Sequence, residues 1–498
     1  MAEREQWRSR VGFIFAAVGS AVGVGNVWRF PYMAYENGGG AFLIPYFFAL
    51  LTAGIPMLVL EFGIGRRHKG SAPVAIAGAV GKKRGEWLGW WQVLVTFVLS
   101  TYYVVIIGWA LSYFFLAFHG SWGETPGHYF FADFLDMSPT PLALGSIQYH
   151  ILAATLTVWA MNWLALFIGV GRGLEAANKI IMPLLMALFL IMLGRVMTFP
   201  HAAEGLQWFF EPDFASITKF KVWAAAYGQI FFSLGVGFAI MITYSSYLPD
   251  RSDINNNAFI TALINCGFSL LAGMVIFGVL GHMAAQQGVG VDKVISSGVG
   301  LAFVTIPAAI NMLPASQLFG TLFFLALFLA GLSSLMSITE ACCAALMDKF
   351  GWSRRIASSA VTCAAAFLSL LFVTQAGLSI LDIVDHFLNN YGIVFTGLAE
   401  VILLAWWSRL DSIRDQVNRT SDFRIGAWWN LCLMVVTPVV LGYMAVANMA
   451  GDFEKNYGDY PTVALLFYGW CVVVIIFVLS FLLPKTGRDF GQRLNSLG

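Results

Sequence analysis

Gly19-Ser20-Ala21-Val22-Gly23-Val24-Gly25-Asn26-Val27-Trp28-Arg29-Phe30-Pro31 lies in the middle of an apolar run that begins near Val11 and reads as a membrane helix. Three glycines, an asparagine and an arginine are each costly in a helix that faces lipid. Packing accounts for part of this, since Gly19 and Gly23 form a small-xxx-small pair that could seat a neighbouring helix. It does not account for Gly25, Asn26 and Arg29 following at once. Glycines let a helix unwind, and backbone groups freed at membrane depth are tolerated only where they are buried in protein or line a cavity. The stretch therefore predicts a broken helix whose freed ends bind something small and charged.

The rest of the chain supplies the membrane. Of 498 residues, 59% are hydrophobic and 11% charged, and apolar stretches near or above the ~18 residues that span a bilayer recur from end to end. Twelve spans are expected, at roughly 11–37, 41–68, 88–118, 148–170, 174–198, 218–249, 254–283, 318–349, 355–375, 378–408, 425–449 and 461–484. This is an all-α polytopic fold. The charged start (Glu3, Arg4, Glu5) runs directly into a helix too long and too Gly-rich for a signal peptide, so no cleavable leader is expected. Lys and Arg gather in alternate connections, such as Arg66 to Arg84, Lys349 to Arg355 and Arg409 to Arg424, while 119–147 contains neither. The positive-inside rule then puts both termini in the cytoplasm. The segments 119–147 and 284–316, broken by Gly and Pro, read as structured outer loops, the second with short re-entrant helices over an outer cavity.

Charge nearly balances, with 28 Lys and Arg against 27 Asp and Glu, so nothing suggests nucleic acid. The six cysteines all fall in apolar runs without metal spacing, which argues against zinc and disulfide staples. The seven histidines make no cluster with Glu or Cys, so an enzyme is not expected. A channel would need a continuous polar stripe, whereas here the midplane polar groups are expected to be sealed by Arg29, Asp385 and aromatics.

One internal echo stands out. Val22-Gly-Val-Gly25 in span 1 recurs as Leu234-Gly-Val-Gly237 in span 6, again mid-helix. Spans 1 and 6 are an odd number apart, so the second copy enters the membrane from the opposite side. That predicts a five-plus-five inverted repeat (about 11–198 and 218–408) with discontinuous helices 1 and 6 meeting at the midplane. The ten-helix core would run from 11 to 408, with residues 1–10 as a cytoplasmic segment, helices 11 and 12 over 425–484, and a cytoplasmic tail at 485–498.

The blocks Gly25-Asn-Val-Trp-Arg-Phe-Pro-Tyr32 and Asn37-Gly-Gly-Gly-Ala-Phe-Leu-Ile-Pro-Tyr46, with Gly228-Gln-Ile-Phe-Phe-Ser-Leu234 and Ala330-Gly-Leu-Ser-Ser334, resemble the neurotransmitter:sodium symporter family over essentially the whole chain. The resemblance implies a Na⁺-coupled amino-acid symporter working by alternating access, with a small amino acid and the lipid bilayer as its partners. Oligomers are possible. A non-transporting sensor on the same fold and a chloride-independent carrier are the alternatives. The short outer loop lacks the paired cysteines and glycosylation sites of animal members, which points to a bacterial inner membrane.

The same resemblance implies the site. Val24 and Gly25 N–H groups and the Tyr103 hydroxyl would hold the substrate carboxylate, with Ala21, Phe232 and Ser233 carbonyls on its ammonium. The walls would be Ala21, Leu99, Tyr103, Phe232, Gly235, Phe238, Ser334 and Ile338. Two sodium sites are implied. The first has Ala21, Asn26, Ser233 and Asn265 together with the substrate carboxylate; the second has Gly19, Val22, Ala330, Ser333 and Ser334. Hard cations want such oxygen ligands. Ser269, four residues after Asn265, stands where chloride-independent relatives have an acid, so one Cl⁻ is expected among Tyr46, Gln229, Ser233, Asn265 and Ser269. Glu61 is the rival source of negative charge and, by similarity, holds the unwound part of span 6. Arg29 with Asp385 would form an outer gate closed with Tyr103 and Phe232. Arg4 with Asp348 would form an inner gate, plugged by Trp7 with Tyr247 and Ser246 nearby. A role for Glu340 is left open. Ala21 stands where monoamine carriers place an aspartate, and the apolar lining implies a neutral, medium-to-large hydrophobic L-amino acid.

Overall fold

The computed structural model describes residues 4–294, 298–488 and 490. Residues 1–3 of the expected N-terminal segment and all but five residues of the expected tail (485–488 and 490) lie outside the described residues, as do 295–297. Among the described residues the chain is helical, with only two isolated β-bridges, Gly39 to Pro212 and Ile147 to Thr374. Ten continuous helices are long and apolar enough to cross a membrane, and Arg10–Ala21 with Val24–Glu36 forms an eleventh span bent by 62°. Span 6 is also interrupted: Phe220–Leu234 is followed, after a non-helical turn, by Ile240–Ser245. Counting both interrupted helices gives the twelve segments expected.

Both breaks have local causes. In span 1, Val22 and Gly23 leave helical geometry with ψ of 95° and −170°. A side chain at Gly23 would put its Cβ 2.7 Å from Ser334 Oγ and 2.8 Å from the Tyr103 hydroxyl, so a larger residue would have to displace both. In span 6, Gly235 and Gly237 take left-handed φ of 63° and 80°, and Ala239 joins them at 62°. Glycine adopts this region without strain. Ala239 adopts it too, and a buried carboxylate holds the turn: Glu61 Oε1 accepts the Gly237 N–H at 2.6 Å.

Elsewhere the structure departs from expectation. Span 3 starts at Lys82 rather than 88, because a short buried helix, Ala72–Val80, packs against its first turns. Gly85 and Gly89 permit this, since a Cβ at either would lie 2.6 or 2.4 Å from the backbone of Ile76 or Pro73. On the opposite side, Leu301–Asn311 is a short apolar helix within the segment expected to carry re-entrant helices. Its Phe303 stacks on Phe130 at 5.3 Å and sits edge-on to Trp109, tying the two long loops together over the helix ends.

Candidate functional site

The two breaks meet. Asn26, in the short turn after the span 1 break, donates its amide Nδ2 to Ser233 Oγ at 3.1 Å, Asn265 Oδ1 at 2.9 Å and Ser269 Oγ at 2.8 Å. Its Oδ1 accepts the Gly23 N–H at 2.9 Å, which caps the turn. Ser233 and Asn265 also bond each other at 2.9 Å. One buried asparagine thus joins spans 1, 6 and 7, and Ser233 and Asn265, two of the residues expected around the first cation, are bonded to it. Tyr46 reaches Ser269 Oγ at 3.4 Å. Gln229 is fully buried beside this group and neither end of its amide has a protein partner.

A second cluster lies across span 1. Ser334 Oγ donates toward the carbonyls of Gly19, Ser20 and Val22 at 3.3, 3.1 and 3.5 Å. Ser333 Oγ bonds the Ala330 carbonyl at 2.9 Å. These carbonyls are the ones the break leaves without helical partners. Of the five residues expected around the second cation, Ser334 reaches the Gly19 and Val22 carbonyls, while Ser333 bonds Ala330 within their own helix.

Other expected groups are arranged differently. The Val24 N–H, expected to face a substrate carboxylate, donates to the Tyr103 hydroxyl at 3.1 Å. Arg29 and Asp385 share no ion pair among the described residues. Instead Asp385 accepts the Tyr102 hydroxyl at 2.7 Å, and the Arg29 guanidinium lies 4.3 Å from the centre of the Phe232 ring. Both Arg29 and Asp385 border a cavity of about 420 Å³ that reaches Gly25, Leu99, Tyr103 and Phe232. Phe238, Ser334 and Ile338 are buried and do not border it; Phe238 sits edge-on to Phe232, 6.3 Å away. Asp382, Tyr457 and Tyr460 also border the cavity, and both tyrosines donate to Asp382 at 3.0 Å. Sequence reading missed Asp382, although it sits one turn before Asp385 on the same helix face.

The opposite end is shut. Arg4 Nη1 pairs with both Asp348 oxygens at 3.0 and 3.1 Å, and its Nε donates to Ser246 at 3.1 Å. Burial is the largest single influence and would lower the Arg4 pKa, but Asp348, Tyr247 and Glu340 together outweigh it and hold the guanidinium above its ordinary value. Trp7 is buried between Phe13, Tyr244 and Tyr247, and its indole N–H donates to the Tyr244 carbonyl at 2.8 Å. Glu340 has a role here. It accepts the Tyr247 hydroxyl at 2.5 Å and two bonds from Arg354, at 2.7 and 3.0 Å. Arg354 also pairs with Glu5 at 2.7 Å, and Glu175 accepts the Arg8 N–H at 2.7 Å and the Ser9 hydroxyl at 2.8 Å. The N-terminal segment is thus held by Asp348 on Arg4, by Glu175 on Arg8 and Ser9, and by Arg354 on Glu5.

The family model for the sodium:neurotransmitter symporter family matches residues 4–125 and 121–485. The chain belongs to that family. It is similar to an uncharacterized sodium-dependent transporter of Methanocaldococcus jannaschii, 45% identical over 97% of this chain and 98% of the relative. A sodium- and chloride-dependent taurine transporter of Bos taurus is 28% identical over 99% of this chain and 87% of the relative. A sodium-dependent dopamine transporter of Bos taurus is 30% identical over 92% of this chain and 71% of the relative. The symporter is accordingly a multi-pass membrane protein and a sodium-dependent transporter of small molecules, not an enzyme.

Proposed function

We propose that this symporter couples two Na⁺ and one Cl⁻ to the uptake of a neutral, mainly hydrophobic L-amino acid by alternating access. The observation that carries the reading is the convergence of Asn26, Ser233 and Asn265 on the span 1 break, with the Gly19 and Val22 carbonyls gathered on Ser334 close by. These are the oxygen donors a hard cation prefers. Asn26 would serve a cation through Oδ1, which requires its amide to turn and to release the Gly23 N–H. Ala21, Val22, Ser233 and Asn265 complete the two donor sets, and the substrate carboxylate joins the first, so that ion and amino acid raise each other's affinity.

The chloride reading is supported by the buried Gln229 amide, which has no protein hydrogen-bond partner, and by the paired hydroxyls of Tyr46 and Ser269. Buried net charge is expensive unless balanced, so two cations call for a counter-charge. Glu61, the rival source of negative charge, is engaged in the span 6 turn, where its Oε1 accepts the Gly237 N–H. The name of the taurine carrier, which includes chloride dependence, favours the same reading. Ala21 in place of a side-chain acid favours a substrate that brings its own carboxylate. The sequence halves 11–198 and 218–408 are read as the two inverted repeats, with the termini cytoplasmic and the 420 Å³ cavity facing outward.

Equilibrium binding of labelled leucine, alanine and tryptophan to purified protein tests this. Binding should require Na⁺, weaken when Cl⁻ is replaced by gluconate, and become indifferent to Cl⁻ in Ser269→Glu. Sodium-dependent binding that ignores Cl⁻ in the wild type would remove the chloride site. Binding of all three without Na⁺ would remove the coupling.

A further inference from the structure

A second large cavity, of about 810 Å³, lies far from the ion-binding breaks, where the ends of three spans meet: Gly40–His68, Gly377–Trp407 and Ala427–Asp459. The short helix Leu410–Arg419 closes one side, burying Leu410, Ile413 and Val417 and turning its polar face outward. Three arginines border the cavity: Arg67 from the last turn of its span, Arg409 from the connection, and Arg419 from the end of the short helix. All three are exposed, and none has an ion pair or side-chain hydrogen bond among the described residues. The lining sets three arginines against two acids, and both acids lie nearest a fourth arginine, Arg414. Asp411 is bonded to Arg414 at 3.0 Å and to Asn430 at 2.8 Å, and Asp415 lies 3.9 Å from Arg414.

The surroundings say what kind of anion fits. Trp406, Trp407 and Trp428, at the same span ends, are 54%, 51% and 42% exposed. Tryptophans so placed mark the headgroup level of a bilayer. Ala405, Leu410 and Met434 give the cavity an apolar wall on the span side. Arginine forks suit phosphate oxygens, and basic pockets between spans on the cytoplasmic side suit anionic headgroups.

We infer that Arg67, Arg409 and Arg419 form a binding site for a phosphate-bearing anion, the headgroup of an anionic phospholipid, at the junction of spans 2, 10 and 11. A free phosphate shares the chemistry, so the test separates the sources. The full chain is placed in nanodiscs of phosphatidylcholine with or without phosphatidylglycerol, and lipid retained after extraction is counted by native mass spectrometry. Retention of phosphatidylglycerol should fall about tenfold in R67Q/R409Q/R419Q, return in R67K/R409K/R419K, and persist in K83Q/R84Q/R424Q, which removes three other exposed cations. The melting temperature in pure phosphatidylcholine shows that each variant folds. Inorganic phosphate raising the melting temperature of the wild type but not of R67Q/R409Q/R419Q, with no selective lipid retention, would replace the lipid by a soluble phosphate. Equal losses in both glutamine variants, or no response to either probe, would overturn the site.

Discussion

The two ends of the transport core are built from the same materials and stand in opposite states. At the end of the N-terminal segment, Arg4 is on Asp348, Arg354 is on Glu340 and Glu5, and Trp7 fills the space between aromatic rings. At the other end, Arg29 and Asp385 border one cavity but turn to Phe232 and Tyr102 instead of each other. One side is sealed by paired charges; on the other, Asp385 is held by Tyr102 while Arg29 lies over Phe232 with its buried Nη1 unbonded. A carrier that alternates needs this asymmetry to be reversible. The sealed side then carries more ionic interactions that must be undone, and variants there should have larger effects.

The largest effect is expected from Arg354→Ala. Glu340 is fully buried, and removing its partner leaves a buried charge uncompensated, which costs about 3–5 kcal/mol. The melting temperature should fall, and a cysteine placed at Ser246, 2% exposed in this state, should become reactive to a soluble thiol reagent. Arg4→Ala should do the same more weakly, by about 1 kcal/mol, because its pair is partly exposed and Asp348 keeps the Ser71 N–H. Asp385→Asn should leave the stability within roughly 0.5 kcal/mol of the wild type, with little change in melting temperature, since no ion pair is lost. Its effect should fall instead on closure, read as faster release of bound substrate. Tyr460→Phe should be smaller still, removing one of two hydroxyls on Asp382 and changing substrate release by less than about twofold. Equal effects at both ends would break the asymmetry; an Asp385→Asn protein as unstable as Arg354→Ala would reverse it.

Much of this was legible in the sequence, for reasons that can be named. The interruption of span 1 follows from glycines beside Asn26 and Arg29, and the interruption of span 6 from the repeated Gly-x-Gly. Ala239 was not legible: nothing in an alanine announces left-handed backbone, which here is imposed by the turn that Glu61 grips. The buried helix Ala72–Val80 was hidden by the basic cluster Lys82-Lys83-Arg84 that follows it, and only Gly85 and Gly89 hinted at close packing. Charged residues inside spans announced that Arg29, Asp385 and Glu340 need partners, but not which ones. Tyr102 competes with Arg29 for Asp385, and Arg354 reaches back to Glu340 across the turn at Gly351. Pairing of this kind depends on the state of the molecule, and a sequence is common to all states.

The most direct test is uptake of labelled leucine, alanine and tryptophan into proteoliposomes with external Na⁺ and Cl⁻ replaced separately. Concentrative uptake of at least one neutral amino acid, lost without Na⁺, reduced without Cl⁻ and abolished in Gly23→Ala, where a Cβ would meet Ser334 and Tyr103, is the predicted result. Uptake of none of them under an inward Na⁺ gradient, by protein that retains its fold, would contradict the account.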